Sequence, residues 1–314
     1  MKSFPPPGFP YTCCSASGED EFGIWLEFTV KNTGQRMRWI KPGQFSMGSP
    51  KEEPHRYDYE TQHEVTLTKG FWFADTACSQ ELWQVVMETN PSKTNGPKKP
   101  VENVSWGDCS EFLRRINGIM DFSLSLPTEA QWEYACRAGT RSPFSFGITI
   151  APDQVNYNGE YPYLGEKKGL NRGNTVKIKS LPPNQWGLYE MHGNVWEWCN
   201  DWYGEYETGS VTDPTGPAEG TYRVLRGGSA FSAAADCRSA ARSRCHVDGR
   251  YSRNGFRFIW NPWKPPGIDN QKEQQASEEQ ERRDGEKKED LVIIPTKEEI
   301  TMRNTVLPKD SANE

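Results

Sequence analysis

The chain has 314 residues, 34% of them hydrophobic, and a formal net charge of −6, a balance that excludes the basic footprint of a nucleic-acid-binding protein. Twelve Trp, 12 Tyr and 14 Phe supply large buried areas, while 28 Gly and 23 Pro interrupt the sequence too often for a bundle of long helices. No run approaches the ~18 apolar residues of a membrane span and the N-terminus has no apolar signal core, so a soluble, cytoplasmic chain with no membrane partner is expected.

Residues 1–20 are rich in Pro, Gly and Ser and read as a flexible leader. Ile24 to Val30 and Met37 to Ile40 then alternate apolar and polar side chains as strands do, with Asn32-Thr33-Gly34 as the hairpin turn between them. His63 to Leu67 and the aromatic run Phe71-Trp72-Phe73 are further strands. Three short helices follow. Ser79 caps one with Leu82, Val85 and Val86 on a single face, and Ser105 caps one that carries Cys109, Phe112, Leu113 and Ile116 and ends at Gly118. Thr128-Glu129-Ala130-Gln131 has capping-box spacing, with Gly139 as the stop.

From about 140 to 220, turn clusters alternate with aromatics and no long periodic stretch appears, which predicts irregular structure. Tyr222 to Arg226 and Gly255 to Trp260 read as strands enclosing a polar, small-residue segment that belongs on the surface. One domain over 21–262 results, followed by a charged tail at 263–314 that is expected to be disordered, with a solvated helix as the alternative over 270–290. Within that tail Leu291-Val292-Ile293-Ile294-Pro295 is an apolar patch, either a docking element for the domain or a partner, or plain linker. The eight cysteines are too dilute for a disulfide scaffold and are expected as buried thiols. The four histidines lack ligand spacing and no Cys-x-x-Cys occurs, so zinc and non-haem iron have no local support.

Several runs, taken together, resemble the formylglycine-generating-enzyme (sulfatase-modifying-factor) family. They include Pro42 to Ser49, Pro100 to Trp106, Leu126 to Ala135, Asn184 to Trp198, Arg223 to Ser229 and Gly255-Phe256-Arg257, in the family's order. The resemblance implies an α+β, C-type-lectin-like fold with small twisted antiparallel sheets, short helices and much irregular structure. Family enzymes oxidise a substrate cysteine with O₂ at copper held by two cysteines five residues apart after Gly-Gly-Ser. Here the equivalent positions are Ser232 and Cys237, and a hard hydroxyl does not replace a thiolate on Cu(I), so copper is not expected. Cys245 is an unconvincing substitute.

The resemblance also implies a structural calcium held by Glu190, Gly193, Val195 and Glu197, two of them through backbone carbonyls; internal hydrogen bonding of the two glutamates is the alternative. Non-catalytic relatives include the variable proteins of diversity-generating retroelements, which display a ligand-binding surface in this C-terminal segment. Framework residues recur here at Arg226-Gly227-Gly228-Ser229, Arg238-Ser239-Ala240, Arg242, Arg244, Arg250 and Gly255-Phe256-Arg257. Between them Ala230, Phe231, Ser232, Ala234, Asp236, Ala241, Ser243, Cys245, His246, Asp248, Tyr251, Ser252 and Arg253 are expected to face solvent and form a site for a protein or other macromolecular ligand. Drift in a tolerant loop would leave the same pattern. Two functions follow: a binding module built on residues 230–254, and a copper-dependent oxidase or related protein-modifying enzyme.

Overall fold

In the computed structural model, residues 6, 8–120 and 122–262 are described. The charged tail at 263–314, including Leu291 to Pro295, lies outside the described residues. In chain order the strands are β1 (Ala16–Asp20), β2 (Gly23–Val30), β3 (Thr33–Ile40), β4 (Gly43–Met47), β5 (His63–Leu67) and β6 (Phe71–Ala74). Helices α1 (Gln80–Met87) and α2 (Trp106–Met120), strand β7 (Leu124–Ser125) and helix α3 (Glu129–Arg137) come next. The C-terminal half adds β8 (Trp196–Trp202), β9 (Val211–Thr212), β10 (Tyr222–Arg226), β11 (Arg242–His246), β12 (Asn254–Gly255) and β13 (Ile259–Trp260). All belong to one compact unit, Met1–Ile268.

Period-2 patterning sets the largest sheet. Ile24, Leu26, Phe28 and Val30 of β2 are buried while the residues between them are half-buried, so one face of β2 enters the core. The turn to β3 is the pair Lys31-Asn32, with Lys31 at φ 53°, and the register runs to Val30 opposite Thr33. Thr33 and Gly34, expected in the turn, therefore belong to the strand, because a two-residue turn with positive φ matches the twist of the strands it joins. The presumed leader is also partly structured. β1 pairs with β2 from Ala16 opposite Glu27 to Asp20 opposite Gly23, and the rings of Phe9 and Tyr11 lie 5.7 and 6.2 Å from that of Trp72.

Six strands form this sheet in the order β1-β2-β3-β6-β13-β7; a four-stranded sheet runs β11-β10-β8-β12, and a three-stranded one β4-β5-β9. Helices α1 and α2 share the first sheet's core, with Trp83 stacked on Phe112 at 5.4 Å. The Ser79 hydroxyl accepts from Leu82 N, and the Ser105 hydroxyl from Asp108 N, as caps should. α2 continues past Gly118 to Met120, since an isolated glycine weakens a helix without ending it. In α3 both halves of the Thr128–Gln131 capping box form, and left-handed Ala138 and Gly139 close the helix.

The run from Gly255 to Trp260, expected as a single strand, divides into two. β12 pairs with β8 in the four-stranded sheet, and β13 pairs with β6 and β7 in the six-stranded one. Between them Arg257 is fully buried, where it holds Glu197 with both ends of its guanidinium. That inward arginine turns the backbone from one sheet to the other.

Candidate binding surface

Residues 226–257 are organised by buried arginines reaching carboxylates on earlier elements. Arg226 pairs with Glu133 and lies 3.3 Å from Glu129, both on α3, and donates to the carbonyls of Ser239 and Ala240. Arg242 grips Glu129 through two bonds of 2.6 and 2.8 Å. Arg238 does the same to Glu60 in the β4–β5 loop, at 2.8 and 2.7 Å, and reaches Glu53 at 2.6 Å. Such bidentate pairs fix geometry as well as charge. Their carboxylate halves were not singled out from the sequence, although the Glu129 and Glu133 spacing on α3 places both on one helical face.

The turn after β10 fixes what the copper positions can do. Gly228 sits at φ 76°, and a Cβ there would meet the Cys237 Sγ at 2.5 Å. Cys237 is wholly buried below it, in a cluster with Phe144, Tyr157 and Tyr163, and burial pushes its thiol well above the ordinary range. The Ser232 hydroxyl is within 3.1 Å of both the Ser229 backbone N, from which it accepts, and the Ser229 hydroxyl. One thiol and one hydroxyl do not make the pair of soft thiolates that Cu(I) takes, because the hard Ser232 oxygen cannot replace a sulfur ligand. Cys245 adds nothing: it is buried, and its thiol is pushed up to about 11.

Of the side chains expected to face solvent, four do not. Ala230, Ala234, Ala241 and Cys245 are buried: Ala234 opens the 3₁₀ turn Ala234–Cys237, Cys245 lies on the inner face of β11, and the Ala230 and Ala241 N–H groups donate to the carbonyls of Asn194 and Arg238. Phe231 and Asp248 are exposed; Ser232, Asp236, Ser243, His246, Tyr251, Ser252 and Arg253 are half-buried. The positions also fall in two neighbourhoods. Residues 230–234 lie along the 156–163 loop, where Asn158 N donates to Ser232 O and Ala234 N to Tyr161 O. Residues 247–253 lie along the start of α2, where Asn103 N donates to Tyr251 O, Trp106 N donates to Val247 O, and Arg250 pairs with Asp108.

β11 joins these neighbourhoods and is an edge strand. On it Arg244 is exposed and lies over the rings of Tyr203 and Tyr222, at 4.9 and 5.3 Å. Exposed Tyr161, Leu164 and Leu170 extend the apolar character of Phe231 into the 156–171 loop. The clue to the first two was the aromatic content of Glu160-Tyr161-Pro162-Tyr163-Leu164, which the turn residues around it masked.

The four residues implied for calcium are spread along one turn and strand. Glu197 gives both oxygens to Arg257 and accepts from the Trp132 indole at 2.8 Å, so its charge is already matched. Glu190 accepts from Lys179 N through Oε2, while its Oε1 is buried with no hydrogen bond of good geometry among the described residues, and desolvation, opposed by the backbone N–H groups of Lys179, Leu181 and Ser180, raises the carboxyl to about 7. The Gly193 carbonyl accepts from Val195 N. Between them His192 donates from Nδ1 to the Cys237 carbonyl and accepts at Nε2 from the Ser145 hydroxyl and N–H. Burial lowers its pKa to about 4, which makes the neutral ring a lock between segments.

Comparison with known proteins agrees with this architecture. The model of a sulfatase-modifying factor enzyme 1-like domain matches residues 26–262. The formylglycine-generating enzyme of Streptomyces coelicolor is 37% identical over 174 residues, which cover 52% of this chain and 53% of that protein. The chain thus spans about half the length of the curated relatives it matches first. Among solved structures, Treponema denticola variable protein 1 is similar with a TM-score of 0.68 at 28% identity, covering 76% of this chain and 99% of that one. PvdO from Pseudomonas aeruginosa shares the fold, with a TM-score of 0.63 at 21% identity over 79% of this chain and 98% of its own.

Proposed function

We propose that this chain, which belongs to the sulfatase-modifying factor enzyme 1-like family, is a non-catalytic binding module that offers residues 230–254 to a protein or other macromolecular partner. One observation carries the reading: the copper pair is reduced to Ser232 and a Cys237 covered by Gly228. The likeness to a variable protein over nearly all of that protein's length supports it and suggests the same for diversification of the surface. Buried arginine–carboxylate pairs hold the backbone, so that exchange of Phe231, Ser243, His246 or Asp248 costs little stability. The proposal includes a cytoplasmic location and no direct contact with nucleic acid or membrane.

Identity to formylglycine-generating enzymes favours the second reading, a copper-dependent oxidase or related modifying enzyme. Titration with Cu(I) in the presence of a cysteine-containing sulfatase peptide separates the two. The expected result is no stoichiometric Cu(I) uptake and no aldehyde in the peptide by mass spectrometry; stoichiometric uptake with turnover would sink the binding-module reading. In the same preparation, Phe231→Ser is expected to abolish capture of the partner with an unchanged melting temperature.

Calcium at Glu190, Gly193, Val195 and Glu197 is part of the proposal as a structural ion. The buried Glu190 Oε1, with no hydrogen bond of good geometry among the described residues, supports it, and Glu197 would share its carboxylate with Arg257. Millimolar Ca²⁺ should raise Tm, and Glu190→Ala should remove the increment; an equal Tm in Ca²⁺ and in EDTA would exclude the ion.

A further inference from the structure

A polar cleft of about 440 Å³ lies in the β4–β5 loop, lined by Ser49, Pro50, Lys51, Arg56, Asp58, Thr61 and Gln62, none of which belongs to the 230–254 segment. Its floor is held in place by a chain of hydrogen bonds. Arg238 grips Glu60, Glu60 Oε2 accepts from the Ser49 hydroxyl at 2.7 Å, and Ser49 accepts from Arg56 Nε at 3.3 Å. Gly48 makes the frame tight, because at φ 87° a Cβ would strike the carbonyl oxygens of Glu60 and Thr61 at 2.8 and 2.7 Å. The Arg56 side chain is only 18% exposed and so is presented in one orientation.

Arg56 is underused for a guanidinium fixed this well. Its Nη1 reaches Asp58 Oδ1 at 3.2 Å, but the Asp58 side chain stands fully in solvent, where an ion pair contributes little. Nη2 has no partner among the described residues, and Lys51 adds a second positive charge to the cleft wall. Two cations therefore face one displaceable carboxylate. We infer that this cleft binds the carboxylate group of a small acid or acidic side chain, which replaces Asp58 on the Nη1–Nη2 edge of Arg56 and takes Lys51 as its second contact. Guanidinium offers a planar carboxylate two parallel bonds, and the exposed Asp58 already shows which anion type the edge accepts.

The test follows the Arg Nε–Hε signals of the full chain by NMR during titration with succinate and, separately, with inorganic phosphate. Succinate is expected to shift the Arg56 signal to saturation in the millimolar range, with weakening by added NaCl. Lys51→Gln should weaken binding. Asp58→Asn, which removes the internal competitor, should tighten it about two- to fivefold, the range that a surface ion pair spans. The Asp58 arm stands even if Arg56→Gln disturbs the loop, since Asp58 is solvent-exposed. No saturable Arg56 shift, unchanged or weaker binding in Asp58→Asn, or tighter binding of phosphate than of succinate would each overturn the assignment. None of these outcomes depends on what residues 230–254 bind.

Discussion

Asp201 on β8 is buried beside Glu129, and desolvation followed by that neighbouring charge raises its pKa from 3.8 to about 7. Its Oδ2 accepts from Glu129 N, a role that an amide oxygen can fill equally. The native carboxyl keeps its proton where the unfolded chain has lost it. Its stabilising contribution is therefore complete below about pH 4 and is lost as pH rises through about 7, with a slope of up to ~1.4 kcal/mol per pH unit. Asp201→Asn should be the more stable protein at pH 8 and should flatten the stability profile between pH 4 and 7. Urea denaturation at four pH values checks it, and parallel profiles for the two proteins would refute the assignment. Residue-level chemistry of this kind was only half legible. Ser232 could be seen in place of a cysteine, but the burial of Ala230, Ala234 and Ala241 could not, because alanine is equally at home on either side of a surface loop.

At the scale of elements, α3 shows what local signals achieve. Thr128 and Gln131 exchange bonds with each other's backbone N–H, and the helix they begin carries Glu129 and Glu133 to Arg226 and Arg242, the two arginines that tie the C-terminal segment to α3. Thr128→Ala should cost about 1 kcal/mol by urea denaturation, and Thr128→Ser should restore most of it. The caps were readable because their chemistry spans three or four residues. The hairpin of β2 and β3 was readable for the same reason, save that its turn is Lys31-Asn32 rather than Asn32-Thr33-Gly34. What the sequence concealed was long-range: β1 needed β2 to exist, and the division of 255–260 depends on a glutamate sixty positions earlier that draws Arg257 inward. The cleft at Arg56 was hidden likewise, since Arg238 lies 178 positions from Glu60.

For the whole molecule, the order of strands matters more than their number. β13 lies between β6 and β7, so residues 259–260 complete a sheet whose other members end by residue 125. A chain terminated after Gly255 lacks that strand and should be digested throughout under limited proteolysis that leaves the full chain's domain intact. A resistant core of unchanged size would show that β13 is dispensable.

The same placement has a consequence for biosynthesis. A ribosome delivers β6 and β7 long before the residues that join them, and for roughly the last half of the domain's synthesis the two exposed strand edges wait without a neighbour. Closure then depends on contacts of very high sequence separation, which slow folding and prolong the period of risk from aggregation. This domain should therefore close only late in its synthesis, and its yield in cells should respond to chaperone supply more sharply than its equilibrium stability suggests.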